Sequence, residues 1–376
     1  MTRVYLDWNA TTPPLGEVIS AMAEAAREAW ANPSSVHAFG RTARARVEDA
    51  REAVARLAGC DPRDVLLTSG GTEANNIALR SAFAGHASRG GVLVTSRIEH
   101  PSVVRVAEAL EREGRARVHW LRVRPEGTID LDDLASVCEP GGGTRLVALQ
   151  AVNSETGAVQ PVREAIAMAK RVGAAVHVDA VQAFGRSEDL ARDADTRSLA
   201  AHKMRGPKSI GALVARTGAS LAPVLVGGSQ ERGLRPGTLD PTAAAGLAVA
   251  ARHALRSASL WTACMPLRDK LEAGLLRLAP KARVNAARAP RAPHVTNIAF
   301  PGWDGAALVA ALDLEGVAVS GGTACSAGTM ENSAVLEAMG DAEAAACSVR
   351  FSLGEDSTPA DVERALAAAA RVLGRG

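Results

Sequence analysis

Lysine is scarce in this chain of 376 residues. Its 43 lysine and arginine residues include five lysines, namely Lys170, Lys203, Lys208, Lys270 and Lys281. Arginine therefore carries most of the positive charge. A lysine kept inside a motif points to chemistry that a guanidinium cannot perform, above all loss of a proton and condensation with an aldehyde.

Other features that the sequence has little of argue against several classes of protein. Aromatic residues make up 3% of the chain, so the core must be built mainly from Ala, Val and Leu. The formal net charge of +2 gives no electrostatic reason to expect nucleic acid as a partner. No apolar run reaches about 18 residues, the length that predicts a membrane span. The first residues also lack the apolar core of a secretory signal. We therefore expect neither nucleic acid nor a membrane as a partner.

Cysteine is sparse and irregularly spaced. None of the cysteines belongs to a Cys-x-x-Cys pair, and they stand at Cys60, Cys138, Cys264, Cys325 and Cys347. An odd, widely spread set predicts neither a disulfide framework nor a metal cluster. It is typical of reduced thiols, so we expect a cytoplasmic protein with no bound metal.

Short apolar runs alternate with helical patterns along the first 250 residues. This order predicts an α/β fold with a mostly parallel sheet flanked by helices, in which each strand belongs to a crossover unit. We expect helices over residues 41–58 and 161–171. The predicted strands are residues 65–68, 92–95, 118–123, 146–152, 175–179 and 210–215.

The pattern changes after about residue 250. A long helical stretch is expected over residues 242–276, followed by strands at 294–300, 317–320 and 348–353. A last helix should begin near Pro359, where a cap residue, a proline and an acid follow one another. We expect a large domain over residues 15–250. A smaller α/β C-terminal domain would contain residues 251–376 together with residues 1–14.

A carboxylate and a lysine stand out in the second half of the large domain. Asp179 lies within the segment VHVDAVQ at 176–182 and ends the predicted strand 175–179, where open α/β sheets place ligand groups, and Lys203 follows 24 residues later. An ionised aspartate there can keep a pyridine nitrogen protonated, while the lysine forms a Schiff base with the same cofactor. Gln182 could reach the phenolic oxygen of such a ring. A helix-capping role for Asp179 is the alternative.

A glycine turn precedes a helix in the stretch LLTSGGTEAN at 66–75. Gly71 lets backbone amides approach an anion, the helix N-terminus favours negative charge, and Thr72 adds a hydroxyl. A capped helix after a tight turn is the alternative.

His100 follows a predicted strand and could stack on a flat ring or move protons, although it could equally be a structural loop residue. His202 is open to the same two interpretations.

Two further residues carry possible chemistry. Cys325 lies in the stretch SGGTACSAG at 320–328, and its small, polar neighbours predict an exposed loop on which a thiol could carry sulfur. An incidental loop cysteine is the alternative.

Arg350 is a charge inside an apolar strand, so it needs a partner. A substrate carboxylate is one candidate and an internal salt bridge is the other.

These motifs in this order resemble the cysteine desulfurases, which belong to the fold-type I, pyridoxal-phosphate (PLP) class V aminotransferases. The resemblance covers nearly the whole chain. It is carried by YLDWNATTP at 5–13, NPSSVH at 32–37, SGGTEANN at 69–76, EHP at 99–101, HVDAVQ at 177–182, HK at 202–203, QERGLRPGT at 230–238, ACS at 324–326 and RFSLG at 350–354. The long stretch after Cys325 resembles the long cysteine loop of one branch of the family, which serves iron–sulfur cluster assembly and tRNA thiolation.

The resemblance implies that the protein is a PLP-dependent homodimeric enzyme converting L-cysteine to L-alanine. Lys203 would hold PLP and move the Cα proton, and Cys325 would take the sulfur as a persulfide for an acceptor protein, such as an iron–sulfur scaffold or a tRNA-thiolation protein. The remaining implied contacts are His100 on the ring, Asp179 and Gln182 on its polar atoms, Gly71, Thr72 and His202 at the phosphate, Thr238 at the phosphate from the other subunit, and Arg350 and Ser154 at the substrate.

The chain departs from the family pattern at several positions. Ser154 stands where the family has an asparagine that touches cofactor and substrate, and Ala200 replaces a serine or threonine that binds phosphate. Pro236, Trp8 and Gly321 are also unusual. From these departures we expect weakened affinity for PLP or substrate, or a shifted substrate.

Two other functions stay open at this point. One keeps PLP but acts on selenocysteine or another β-substituted amino acid, and the other is a non-catalytic sulfur-transfer scaffold. Activity of a C325A variant separates the first from a desulfurase, and a protein that stays colourless with added PLP would favour the second.

Overall fold

The computed structural model describes residues 3–84, 91–187, 189–321 and 332–374. In these ranges the strands are β1 (Val4–Tyr5), β2 (Val65–Thr68), β3 (Val92–Ser96), β4 (Arg117–Leu121), β5 (Thr144–Gln150), β6 (Ala175–Asp179), β7 (Thr196–Ala200), β8 (Gly211–Ala215), β9 (Arg283–Val284), β10 (Val295–Ala299), β11 (Val317–Ala318) and β12 (Ser348–Ser352).

The helices of the same ranges pack on both sides of these strands. They are α1 (Gly16–Glu28), α2 (Ala38–Ala58), α3 (Gly71–Ala82), α4 (Pro101–Arg112), α5 (Leu131–Val137), α6 (Val162–Arg171), α7 (Pro241–Thr262), α8 (Met265–Leu278), α9 (Gly305–Leu314), α10 (Ala334–Ala338), α11 (Ala342–Cys347) and α12 (Pro359–Leu373). None of the helices in the described ranges is both long and apolar enough to cross a membrane.

A seven-stranded sheet forms the centre of the larger part, in the order β2-β8-β7-β6-β5-β3-β4. The five strands from β7 to β4 in this order are parallel to one another. Strand β8 runs antiparallel to both β7 and β2. This confirms the predicted α/β fold with a mostly parallel sheet flanked by helices.

The expectation that every strand belongs to a crossover unit is wrong at one edge of this sheet. Strand β7, with the sequence TRSLA, was not among the predicted strands, and it pairs antiparallel with β8. Strand β7 is fully buried although it contains polar residues. These residues tolerate burial because their side chains find partners inside the protein. Arg197, for example, pairs with Asp189 at 2.5 Å.

The C-terminal part has its own apolar core, which includes Leu271, Phe300, Phe351 and Val362. An antiparallel sheet in the order β12-β10-β9 lies within it, and β1 pairs with β11. The helical stretch expected over residues 242–276 consists of two helices, α7 and α8. Pro266 explains the break, because its ring lacks an N–H and displaces the carbonyl four residues earlier. The expected boundary near residue 250 lies inside α7, and the division into domains stays a prediction.

The N-terminal segment joins the two cores and reaches the centre of the molecule. Trp8 N–H donates to Ser352 O at 3.2 Å on the C-terminal side, and Thr12 N–H donates to His202 O at 2.9 Å on the other. Residues 8–12 therefore lie between the end of β12 and the turn that follows β7. This is where the candidate site is found.

Candidate active site

A cavity of about 290 Å³ lies beside the carboxyl ends of β5, β6 and β7. Its wall contains nine of the residues singled out from the sequence, namely Gly71, Thr72, His100, Ser154, Asp179, Gln182, His202, Lys203 and Arg350. Thr238 is exposed and does not line the cavity. Cys325 lies outside the described residues. The structure thus brings residues up to 279 positions apart, from Gly71 to Arg350, together around one cavity.

Lys203 ends a short 3₁₀ turn, Ala201–Lys203, directly after strand β7. Its Nζ donates hydrogen bonds to the backbone oxygen of Asn9 and, at 2.8 Å, to that of Ala10. The amine therefore rests against the N-terminal segment, on the wall of the cavity. Both contacts are to neutral carbonyl oxygens, which a ligand with an electrophilic carbon could replace.

Asp179 ends strand β6 and is 6% exposed. Its Oδ2 accepts a hydrogen bond from Asn75 Nδ2 at 2.7 Å. Its Oδ1 accepts from Val181 N–H at 3.0 Å and lies 3.4 Å from Ser198 Oγ. These contacts are all to neutral donors, which hold a carboxylate in place without neutralising it. No α-helix begins at this residue, so a helix-capping role does not account for it.

Asn75 links Asp179 to two histidines. His177 Nε2 lies 2.9 Å from Asn75 Oδ1, and His177 Nδ1 lies 2.9 Å from Thr196 Oγ1. Burial lowers the pKa of His177 to about 4, so the ring is neutral at neutral pH. Because an amide oxygen only accepts, His177 must donate through Nε2. Asn75 Nδ2 then faces Asp179 and, at 2.8 Å, Ser102 Oγ.

His100 is connected to this hydrogen-bond network through Ser102. Its Nδ1 accepts from the Ser102 N–H at 3.1 Å and lies 2.7 Å from Ser102 Oγ. An Nδ1 that accepts cannot carry a proton, so the neutral ring has its hydrogen on Nε2. Burial also lowers the pKa of His100, which favours this neutral form. The ring caps helix α4 and lines the cavity, so the structural and functional interpretations both apply to it.

The N-terminus of α3 and His202 form a second polar part of the wall. A Cβ on Gly71 would lie 2.6 Å from Val181 Cγ2, so glycine is required for the close approach of this helix to the segment after β6. Burial and, next, the charge of Lys203 lower the pKa of His202 to about 3. Thr72 and this neutral histidine offer hydrogen-bond donors to an anion, and the helix N-terminus adds a favourable dipole. Ala200 in the same wall supplies no hydroxyl.

Arg350 projects from β12 and is 2% exposed. Its Nη2 pairs with Asp7 Oδ1 at 2.6 Å, so the internal salt bridge considered from the sequence is present. Its Nη1 donates to the backbone oxygen of Ser154 at 3.1 Å, and its Nε is buried without a hydrogen-bond partner among the described residues. A buried guanidinium with an unused donor is suited to bind a carboxylate.

Several residues of the site were not assigned a role from the sequence. Asn9 and Asn75 belong to motifs quoted above, but neither carries chemistry of its own. Glu155 lines the cavity, burial raises its pKa, and it accepts from Ser333 Oγ at 2.5 Å. Arg186 lies behind the wall. It stands four residues after the segment VHVDAVQ at 176–182, but its position in the sequence does not reveal its contacts.

Comparisons with known proteins show which family the chain resembles. The chain matches the family described as Aminotransferase class-V over residues 4–365. It is 41% identical over 370 residues to a cysteine desulfurase of Cereibacter sphaeroides, covering 97% of this chain and 94% of that protein. A solved NifS-like protein superposes with a TM-score of 0.91 at 32% identity, covering 100% of both chains. The structure of SspA in complex with cysteine superposes with a TM-score of 0.81 at 29% identity, covering 94% of this chain and 100% of that one.

Proposed function

The chain belongs to the class-V aminotransferase family, among the cysteine desulfurases, and from this premise we propose that it converts L-cysteine to L-alanine with PLP as cofactor. The sulfur would pass to Cys325 as a persulfide and then to an acceptor protein. The observation that carries this proposal is the meeting of the Lys203 amine, the Asp179 carboxylate and the Arg350 guanidinium in one cavity. Relatives named cysteine desulfurase support this substrate over the alternatives considered above.

The residues present fit PLP. Lys203 offers an amine for its aldehyde, and Asp179 offers a carboxylate whose hydrogen-bond partners are neutral. The N-terminus of α3, with Thr72 and His202, offers donors for its phosphate. When bound, PLP supplies an electron sink that stabilises negative charge developing on the substrate Cα.

Each side chain then has a definite task. Arg350 would bind the substrate carboxylate through its buried guanidinium, with Ser154 beside it. Lys203 would hold the cofactor and, once released, move the proton at Cα. His100, neutral with its proton on Nε2, would stack on the ring and can donate that proton to a nearby atom. Gln182 would donate from Nε2 to the ring's phenolic oxygen.

The sulfur transfer balances without an outside oxidant. The Cys325 thiolate attacks the substrate Sγ, the Cβ–Sγ bond breaks, and the bonding pair remains with the carbon side. Cβ then takes up a proton. The products are a persulfide on Cys325 and L-alanine, which together contain all the atoms of the thiol and of L-cysteine.

We also propose a homodimer, in which Thr238 completes the phosphate site of the partner subunit. Thr238 is exposed and lies away from the cavity of its own chain, which is consistent with such a role. Mixing K203A and T238A subunits tests this. A mixed dimer would contain one site with neither substitution and should recover activity, whereas no recovery would contradict a shared site.

Mass spectrometry after incubation with L-cysteine tests the central reaction. We expect one additional sulfur atom on the peptide that contains Cys325, and L-alanine in the medium. C325A should form neither the persulfide nor alanine at the wild-type rate. Full alanine production by C325A would contradict the proposal.

A further inference from the structure

Arg186 is a buried cation directly behind the wall of the cavity. It is 2% exposed and does not itself line the cavity. Its Nε and Nη2 both donate to the backbone oxygen of Lys203, at 3.0 and 2.7 Å. Nη2 also lies 3.3 Å from Trp8 O, and Nη1 donates to Asn9 Oδ1 at 3.0 Å and to Gln182 Oε1 at 2.6 Å. Nη1 also lies 3.4 Å from His294 Nε2. Within the described residues Arg186 forms no ion pair, so its donors face neutral groups around the site.

The guanidinium holds the Lys203 side chain from both directions. It fixes the main chain at Lys203 through the backbone oxygen. It also fixes Asn9 through Oδ1, and the backbone oxygen of Asn9 is one of the two acceptors of Lys203 Nζ. The Arg186 guanidinium, which is rigid and planar, therefore fixes both the main chain of Lys203 and the position of its amine.

The same group determines which way the Gln182 amide faces. A guanidinium only donates, so the atom of Gln182 that faces it must be Oε1. Nε2 is then turned to the other side, where it donates to Asn9 O at 3.1 Å. Its second N–H remains to meet a ligand in the cavity that Gln182 lines.

The position of Arg186 is itself tightly constrained. Its Cζ lies 4.3 Å from the centre of the buried Trp261 ring, which stacks edge-on against His294 at 4.7 Å. Burial lowers the pKa of Arg186 to about 9, so the side chain remains a cation at neutral pH. Burying a charge without a carboxylate partner is costly. The contacts to Lys203 and Gln182 give a reason to keep it.

We infer that Arg186 is a positioning residue. It holds Lys203 in the position to form the covalent bond to PLP and Gln182 in the position to donate a hydrogen bond to it. This inference rests on the proposed function. It goes beyond fold stability, because both of its main partners are residues expected to touch the cofactor. A residue that merely supports the fold would have no effect on the rate at which Lys203 bonds to PLP in the folded protein.

The test compares R186M with a matched control, R197M. Arg197 is also a buried arginine, but its partners are Asp189 and the backbone oxygen of Ala58, away from the cavity. Folded apoprotein is mixed with PLP, and the rate constant for forming the borohydride-reducible bond at Lys203 is measured together with urea unfolding. We expect R186M to slow this step by about tenfold to a hundredfold, the factor for losing one hydrogen bond to a charged group. R186K should recover part of the loss.

The outcomes separate the possibilities. R197M should lose stability while keeping the wild-type rate constant. If R186M loses stability but bonds PLP at the wild-type rate, the inference is wrong and Arg186 serves the fold alone. If R186M does not fold, the comparison of R186K with R197K decides in the same way, with a smaller expected effect. A wild-type protein that forms no bond at Lys203 would instead overturn the proposed function.

Discussion

Replacement of Asn75 by alanine should weaken both the fold and the cofactor site. Asn75 Nδ2 donates to Asp179 Oδ2 and Ser102 Oγ, and Asn75 Oδ1 accepts from His177 Nε2. A hydrogen bond to a charged group contributes about 1.5–3 kcal/mol, and a buried donor left without a partner costs about 1–3 kcal/mol. N75A loses the first at Asp179 and creates the second at His177. We therefore expect its free energy of unfolding to fall by about 3 kcal/mol or more.

The matched control is N285A. Asn285 is also buried and donates through Nδ2 to two neutral oxygens, Asn297 Oδ1 at 2.7 Å and Ser348 Oγ at 2.9 Å, outside the cavity. Urea unfolding of the apoproteins and equilibrium titration with PLP are measured for both variants. N75A should lose about tenfold or more in PLP affinity, the factor for one charge-assisted hydrogen bond. N285A should lose stability alone. Equal PLP affinity in the two variants would refute the assigned role of Asn75.

Three further predictions follow from single positions. A200S restores a hydroxyl to the cavity wall and should tighten PLP binding by up to about tenfold, the worth of one hydrogen bond; unchanged affinity in titration would contradict this. Burial raises the pKa of Glu99 to about 8. Its protonated form is therefore favoured in the folded state, and its contribution to stability, complete below about pH 4.5, is lost as the pH rises through 8. E99Q should remove this loss, so its unfolding free energy relative to wild type should rise between pH 5 and 8 in urea titrations, and a constant difference would refute it. G71A places a Cβ 2.6 Å from Val181 Cγ2 and should cost about 1–3 kcal/mol with weaker PLP binding, whereas G16A, which has open space around its Cβ, should cost neither.

The central strands could be predicted because their apolar composition indicates that they are buried. Strands β3 and β6 are short apolar runs between helical patterns, and both are fully or almost fully buried. Strand β7 could not be found in this way. Its Arg197 and Ser198 look like surface residues, and their burial depends on partners such as Asp189 and Asp179, which no local pattern reveals.

The same limit separates the site residues that were predicted from those that were not. Lys203, Asp179 and Arg350 carry reactive or charged groups in quoted motifs, so their chemistry is visible in the sequence. Asn75 and Arg186 act through hydrogen bonds to residues far along the chain or to backbone oxygens. Asn75, for example, meets Asp179 across 104 positions. Such roles follow from the packing of β6, α3 and the turn after β7, and become visible only in three dimensions.

Borohydride reduction of the PLP-loaded protein, followed by peptide mapping, tests the account most directly. We expect the reduced cofactor on the peptide that contains Lys203, and no stable attachment in K203A. Attachment to another of the five lysines, or none in the wild-type protein, would contradict the assignment on which the proposed chemistry depends.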